Sequence, residues 1–321
     1  MTERVFVTGA AGFIGGHACK ALLDNGYDVI GIDNFDPFYD RSIKEEVVRL
    51  LVKHPRFTLV EGDIRDSSVV SQAIEGADVV FHLAAKAGVR PSIEEPALYA
   101  SVNVEGTVSL LEACRLSNVR RFVFGSSSSV YGDDTPVPFS EDAVATSPVS
   151  PYAATKRAGE LMCMVFSDLY DMRIASLRFF TVYGHRQRPD LAIHRFTRLL
   201  AGGSSIQQFG DGSTERDYTH IDDILKGVLA AISWTEPDEP MHDVFNLGES
   251  RTVRLDELIS LIAEALGVKP SIEMLPMQPG DVQRTSADIS KAKRVLGYDP
   301  CVAIEDGIVD FTNWYRTKNG H

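Results

Sequence analysis

The stretch Val5-Phe-Val-Thr-Gly-Ala-Ala-Gly-Phe-Ile-Gly15 constrains this chain more than any other. It sets an apolar, β-branched run against Gly9, Gly12 and Gly15, and a helical sequence over 13–25 follows. Glycine lets the backbone turn tightly and approach a ligand, and the helix N-terminus offers unpaired N–H groups with partial positive charge. A glycine triplet alone is weak support for a pyrophosphate site. This one closes the first strand of the chain and a second strand, 29–33, comes next, which is the context of a dinucleotide loop. Asp33 stands 21 positions after Gly12. A carboxylate there accepts hydrogen bonds from the adenosine ribose hydroxyls and repels a 2′-phosphate, so NAD is expected over NADP. No arginine offsets the repulsion, because Asn34-Phe35-Asp36 follows; Asp63 and Ile64, after a third strand, are expected at the adenine.

Short β-branched runs at 58–62, 79–83, 122–125 and 174–180 keep alternating with helical stretches. Such alternation builds a doubly wound parallel (Rossmann) sheet, the α/β class, expected over residues 1–185. Beyond Gly184 the pattern loosens around Gly202-Gly203, Gly210-Asp211-Gly212 and the prolines 237 and 240. A smaller C-terminal α/β substrate-binding region is expected over 186–321, with a strand near 244–248 rejoining the first sheet. Residues 251–266 carry helical periodicity, and 297–300 mark a turn before a final helix.

With 45 acidic against 32 basic residues, a net charge of −13 and no long run of like charges, neither nucleic acid nor an anionic membrane is expected as the main partner. Any anionic ligand must meet locally placed arginines. Cys19, Cys114, Cys163 and Cys301 form neither a CxxC nor a Cys/His metal pattern, so buried thiols and no metal are expected. No basic leader and no apolar run long enough to span a bilayer is present, and a cytoplasmic protein is expected.

Four serines, 126–129, follow the apolar run Arg121-Phe-Val-Phe, where a strand ends. Strand-end side chains of a doubly wound sheet face the crevice where ligands meet, so these serines form a hydroxyl-lined floor. Downstream, Pro151-Tyr-Ala-Ala-Thr-Lys156 places Tyr152 and Lys156 on one helix face. A phenol, with a pKa of about 10, is a poor base, but a nearby ammonium and a cationic nicotinamide both favour its phenolate. Tyr152 is thus the expected proton acceptor, with a serine hydroxyl sharing the proton of a sugar hydroxyl.

TGAAGFIG, HLAA (82–85), SSSSVYG (126–132), YAATK (152–156) and RDYTHIDDI (216–224) together resemble an extended short-chain dehydrogenase/reductase over essentially the whole chain. Within that group AGVRPS (87–92), RFFTVYG (178–184) with RPD (188–190), and PGDV (279–282) are most similar to the UDP-glucuronate 4-epimerase family. The resemblance implies a tightly held NAD that takes hydride from sugar C4 and returns it to the opposite face of a 4-keto intermediate. It implies Ser127, Tyr152 and Lys156 as catalytic residues. The implied cofactor contacts are Gly9, Gly12, Phe13, Ile14, Gly15, Asp33, Asn34, Asp63, Ile64, Leu83, Ala84, Ala85, Lys86, Asn103, Ser126, Tyr152, Lys156 and Phe179. For a UDP-sugar substrate they are Arg90, Ser127, Ser128, Ser129, Tyr152, Thr181, Arg188, Arg216 and Asp281. A homodimer through helices at 99–116 and 152–170 is implied as well.

Oxidising a uronate at C4 creates a β-keto acid that loses carbon dioxide easily, so the site must hold the carboxylate still. Ser127, Ser128, Ser129, Thr181 and Arg188 are assigned to that task. Related dehydratases and decarboxylases usually carry Glu where Ser129 stands, which disfavours both chemistries. A UDP-glucose/UDP-galactose 4-epimerase or a UDP-glucuronate decarboxylase remains the alternative. A catalytically silent NAD-sensing regulator is disfavoured by the joint presence of Ser127, Tyr152 and Lys156. Three arginines have a second reading: a surface ion pair for Arg188, an ion pair with Asp217 or Asp222 for Arg216, and a helix cap for Arg90. Lys86 stands where such epimerases often have Gln, with no role assigned.

Overall fold

Val79–His82 and Arg173–Phe179 are buried at every residue, a pattern that needs a sheet covered on both faces. The computed structural model, which describes all residues except 1, 238, 277–281 and 321, places both runs in one sheet. In chain order the strands are β1 (Arg4–Thr8), β2 (Asp28–Asp33), β3 (Phe57–Glu61), β4 (Val79–His82), β5 (Arg121–Ser127), β6 (Arg173–Phe179), β7 (Thr181–Tyr183), β8 (Ile206–Phe209), β9 (Glu215–His220), β10 (Met241–Leu247), β11 (Thr252–Arg254) and β12 (Ile272–Leu275). The large sheet has seven strands in the order β10-β6-β5-β4-β1-β2-β3, every pair parallel. Its order reverses between β1 and β4, and a crevice opens outside the carboxyl ends of the strands there.

Alternation along the strands divides the core. Val5, Val7 and Val123 pack to one face, Phe6, Phe122 and Phe124 to the other. A third core of Tyr183, Phe196, Ile206, Ile262 and Phe311 lies under the smaller β11-β9-β7 and β12-β8 sheets. β10 comes late in the chain and pairs with β6 from Met241↔Arg173 to Leu247↔Phe179.

Two expectations need correction. Residues 251–266 are not one helix: Thr252–Arg254 pairs antiparallel with β9, and the helix Leu255–Leu266 starts after it. β-branched Thr252 and Val253, the latter buried, favour the strand, while Asp256 and Glu257 in the first turn favour a helix start just beyond. Cys301 is exposed rather than buried, with its thiol 3.0 Å from Lys226 Nζ. The stretch 96–116 is helical throughout, but Ser101–Glu105 forms a π turn between the α-helices Pro96–Ala100 and Gly106–Leu116. Such turns insert an extra residue and often mark functional sites.

Candidate active site

The glycine loop fits only glycine. Gly9 has φ +71°, and a Cβ on Gly15 would stand 2.1 Å from the Gly9 carbonyl oxygen. Gly12 is the N-cap of the helix Phe13–Asp24 and contributes no capping side chain, so the first-turn N–H groups keep their capacity for an anion. Asp33 ends β2. Its Oδ2 accepts from Ala11 N at 3.1 Å and its Oδ1 from Phe35 N at 2.8 Å, which braces the loop against the second strand. Lys44 Nζ lies 3.4 Å from Oδ1. These features fit a dinucleotide, with the pyrophosphate at Gly12, Phe13, Ile14 and Gly15 and a ribose at Asp33.

Asp63 is held by Arg65 at 2.8 Å and Asn34 at 3.0 Å, and the Arg65 guanidinium keeps its carboxyl far below the usual range. Neighbouring Ile64 is buried. At the end of β4, Leu83 N and Ala84 N both donate to Thr8 Oγ1 at 3.0 Å, and His82 bridges Thr8 Oγ1 at 2.7 Å and Thr107 Oγ1 at 2.9 Å. Burial pushes His82 down to about 3, so the ring is neutral and serves as a strut. Thr8 thus shapes the crevice wall, a role that no spacing in the chain singles out. Asn103, in the π turn, exchanges hydrogen bonds with the Lys86 backbone at 2.8 and 3.0 Å and reaches Thr155 Oγ1 at 3.0 Å.

Ser150 caps the helix Pro151–Tyr170 by accepting from Ala153 N at 3.1 Å, and Pro151 sits in the first turn. Tyr152 therefore leaves the helix start beside Ser127, the last residue of β5, and shares a hydrogen bond with it. Ser127 Oγ also lies 3.0 Å from Ser129 Oγ and accepts from Ser129 N at 3.2 Å, so the hydroxyls are linked. Burial raises the Tyr152 pKa, while Ser127 and the Arg188 charge lower it. The charges expected to favour the phenolate were those of Lys156 and a cationic nicotinamide. The Lys156 ammonium donates to Gly125 O at 2.7 Å, over the Phe124 ring, and burial lowers it to about 8.

Ser126, expected at the cofactor, turns its side chain toward the helix Pro151–Tyr170. Its hydroxyl is buried and donates to Glu160 Oε1 at 2.6 Å. Glu160 accepts in addition from Arg178 Nε and Nη2 at 2.8 and 2.9 Å and from Arg157 at 2.9 Å. Burial alone would raise its pKa, but these partners bring it below the ordinary value. This buried pair sits beneath the serine floor. Its only sequence trace was a glutamate eight positions after Tyr152 on a helix whose neighbouring turns are apolar. Phe179 ends β6 opposite Ser127, and Thr181 begins β7 just beyond.

Arg188 is largely buried, bonded to Asp190 at 3.0 and 2.6 Å and lying 5.1 Å from the Phe38 ring centroid. Past it a cleft of about 220 Å³ is lined by Arg90, Arg195, Arg216, Phe209 and Tyr218, among others. Arg90 stacks over Phe209 at 5.0 Å, and Arg216 Nη1 donates to Glu215 O at 2.9 Å. Arg195 adds a cation that sequence reading missed. Asp281 lies outside the described residues. A larger polar hollow of about 480 Å³, between Val137-Pro138 and the segment 284–290, holds none of the residues assigned to chemistry.

Residues 5–248 match the model of the NAD dependent epimerase/dehydratase family. UDP-glucuronate 4-epimerase 3 of Arabidopsis thaliana is 42% identical over 97% of this chain and 76% of its own length. UDP-glucuronate 4-epimerase of Thermodesulfobacterium geofontis is 38% identical over 97% and 95%. The crystal structure of UDP-glucuronic acid 4-epimerase from Bacillus cereus in complex with UDP-glucuronic acid and NAD superposes with a TM-score of 0.93 at 38% identity, covering 98% of this chain and 99% of that one.

Proposed function

The chain belongs to the NAD dependent epimerase/dehydratase family, and from that premise we propose that it interconverts UDP-glucuronate and UDP-galacturonate. Likeness to proteins named UDP-glucuronate 4-epimerase over nearly the whole chain supports this. The observation that carries the reading is the junction of β5 with the helix Pro151–Tyr170, where Tyr152 meets Ser127 and the Ser127 hydroxyl is linked to Ser129 Oγ at 3.0 Å, with the largely buried Arg188 charge acting on the phenol.

Bound NAD supplies a reversible hydride acceptor for sugar C4. Tyr152 takes the proton of the C4 hydroxyl, with Ser127 relaying or steadying it, and the Arg188 charge opposes the burial that would otherwise keep the phenol protonated. Lys156, anchored on Gly125 O, ties the start of the helix Pro151–Tyr170 to the end of β5 and so positions Tyr152. Asp190 engages Arg188 through Nε and Nη2, so Nη1 is the part of the fork left to a substrate carboxylate. Ser127, Ser128, Ser129 and Thr181 complete that cradle and keep the β-keto acid from losing carbon dioxide. Arg216, Arg195 and Arg90 line the diphosphate and uridine end, where an acidic protein needs local positive charge.

We also infer a homodimer. Leu161, Met164, Val165 and Leu169 are 41–65% exposed along one side of the helix Pro151–Tyr170, and Leu116 is 68% exposed at the end of the helix Gly106–Leu116 packed beside it. A helix face of that kind is covered by a second copy. No helix among the described residues is long and apolar enough to cross a membrane, and four unpaired thiols fit a reducing compartment, the cytoplasm. The functional test is proton NMR of UDP-glucuronate and UDP-glucose incubated separately with the protein. UDP-galacturonate with little pentose is expected; UDP-xylose would mean decarboxylation, and turnover of UDP-glucose alone would mean a neutral hexose.

A further inference from the structure

Lys86 and Asp36 come from opposite sides of the glycine loop. Asp36 follows β2, Lys86 follows β4, and in the sheet β1 lies between those two strands. Lys86 Nζ nonetheless reaches both carboxylate oxygens of Asp36, at 3.1 and 3.2 Å, with its side chain only 13% exposed. An ion pair joining these two segments has to cross the carboxyl end of β1, where the dinucleotide crevice opens. Lys86 Nζ and Arg188 Cζ also lie 5.4 and 5.1 Å from the centroid of Phe38, two residues on.

The two ends of this bridge differ. On the Lys86 side the main chain is clamped by Asn103, which is itself bonded to Thr155 on the helix that carries Tyr152. On the Asp36 side the segment leaves β2 through Phe35, a bulky residue at φ +51°, a conformation that costs energy unless neighbouring contacts hold it. Asn34 and Pro37 are exposed. One end is a fixed post; the other is a span held at Phe35, which is buried against Ala11 and Val48, and at Asp40, which caps the next helix, with Asp36 between those anchors.

We propose that residues 36–39 form a strap across the cofactor crevice, that Lys86 is the positioning residue that fastens it, and that the Lys86–Asp36 pair governs how long NAD stays bound. The inference rests on the reading of the crevice as an NAD site. It matches a reaction in which hydride leaves and returns within one turnover, so that release of the dinucleotide serves no step.

The test needs no UDP-sugar. Protein loaded with radiolabelled NAD is chased with unlabelled NAD, and retained label is followed over time. Lys86→Gln and Asp36→Asn should each speed release about tenfold, the scale of one largely buried charge-assisted contact. The double variant should release no faster than either single one, Lys86→Arg should stay close to the parent, and the exchange Lys86→Asp with Asp36→Lys should recover part of the retention. Unchanged release in either single variant overturns the proposal. So does an effect of Lys86→Gln that Asp36→Asn does not share, since Lys86 would then touch the dinucleotide directly. Failure of the epimerase reading would appear separately, as absence of UDP-glucuronate turnover by the parent protein loaded with NAD, and would leave these release rates as they are.

Discussion

Around the glycine loop, the groups that face the ligand are main-chain atoms or lie within a few residues of strand ends in one sheet; the cleft lined by Arg90, Arg195, Phe209 and Arg216 draws on two helices and two small sheets. The first region is rigid because its parts brace each other, as Asp33 braces Ala11 and Thr8 braces Leu83 and Ala84. The second is a set of long side chains aimed at one space. Changes in the first should therefore register in folding and cofactor content, and changes in the second in substrate preference at little cost to stability.

The seam between them should give the largest effect. Tyr152→Phe is expected to lower turnover by about 10²–10⁴-fold, the usual reach of a general base, with NAD content unchanged by chromatography of the denatured protein. Loss of NAD in that variant would put Tyr152 in the first region. Glu160→Ala comes next. It leaves Arg178 buried without its carboxylate, which costs about 3–5 kcal/mol in urea unfolding. Ordinary stability would show that the serine floor stands without its pair. Arg188→Ala should lower kcat/KM for UDP-glucuronate roughly tenfold more than for UDP-glucose, as the loss of one charge-assisted contact does. Equal losses would remove it from carboxylate recognition.

The smallest effect is one of pH. Burial holds His82 at about 3 and His17 at about 4, below their ordinary 6.5. Between those values the unfolded chain binds protons that the folded chain does not. The stabilisation is full above pH 6.5 and declines as pH falls through 6 and 5 toward 3. Urea midpoints between pH 7 and 4 should decline in this way, and His82→Gln should flatten the slope. An equal slope in that variant would dissociate the strut from acid sensitivity.

The comparison also explains what could be read in advance. β1, the glycine loop and Asp33 were legible because local chemistry fixes them: glycine takes φ +71° at Gly9 without strain where a Cβ would stand 3.0 Å from Ala84 N, and a short apolar run suits a doubly covered strand. Tyr152 and Lys156 were legible as a helical pair. The source of charge on Tyr152 was not, because Arg188 approaches from a segment distant in sequence while Lys156 is drawn to Gly125 O. Glu160, Thr8 and Arg195 were missed for a related reason: a buried carboxylate, a hub hydroxyl and a cleft arginine carry no spacing rule. Thr252–Arg254 was absorbed into the following helix because periodicity does not report a strand partner as distant as β9.

The late arrival of β10 also bears on how the chain is made. β6 is buried at every residue, yet its outer edge meets β10 only after residues 241–247 exist. At a synthesis rate of ~5–20 residues per second, that edge waits roughly 3–14 s for its partner. An unpaired, flat, apolar edge is a template for pairing with another chain. Ribosomes crowded on one message would hold several such edges close together, and slower growth temperatures would lengthen the wait.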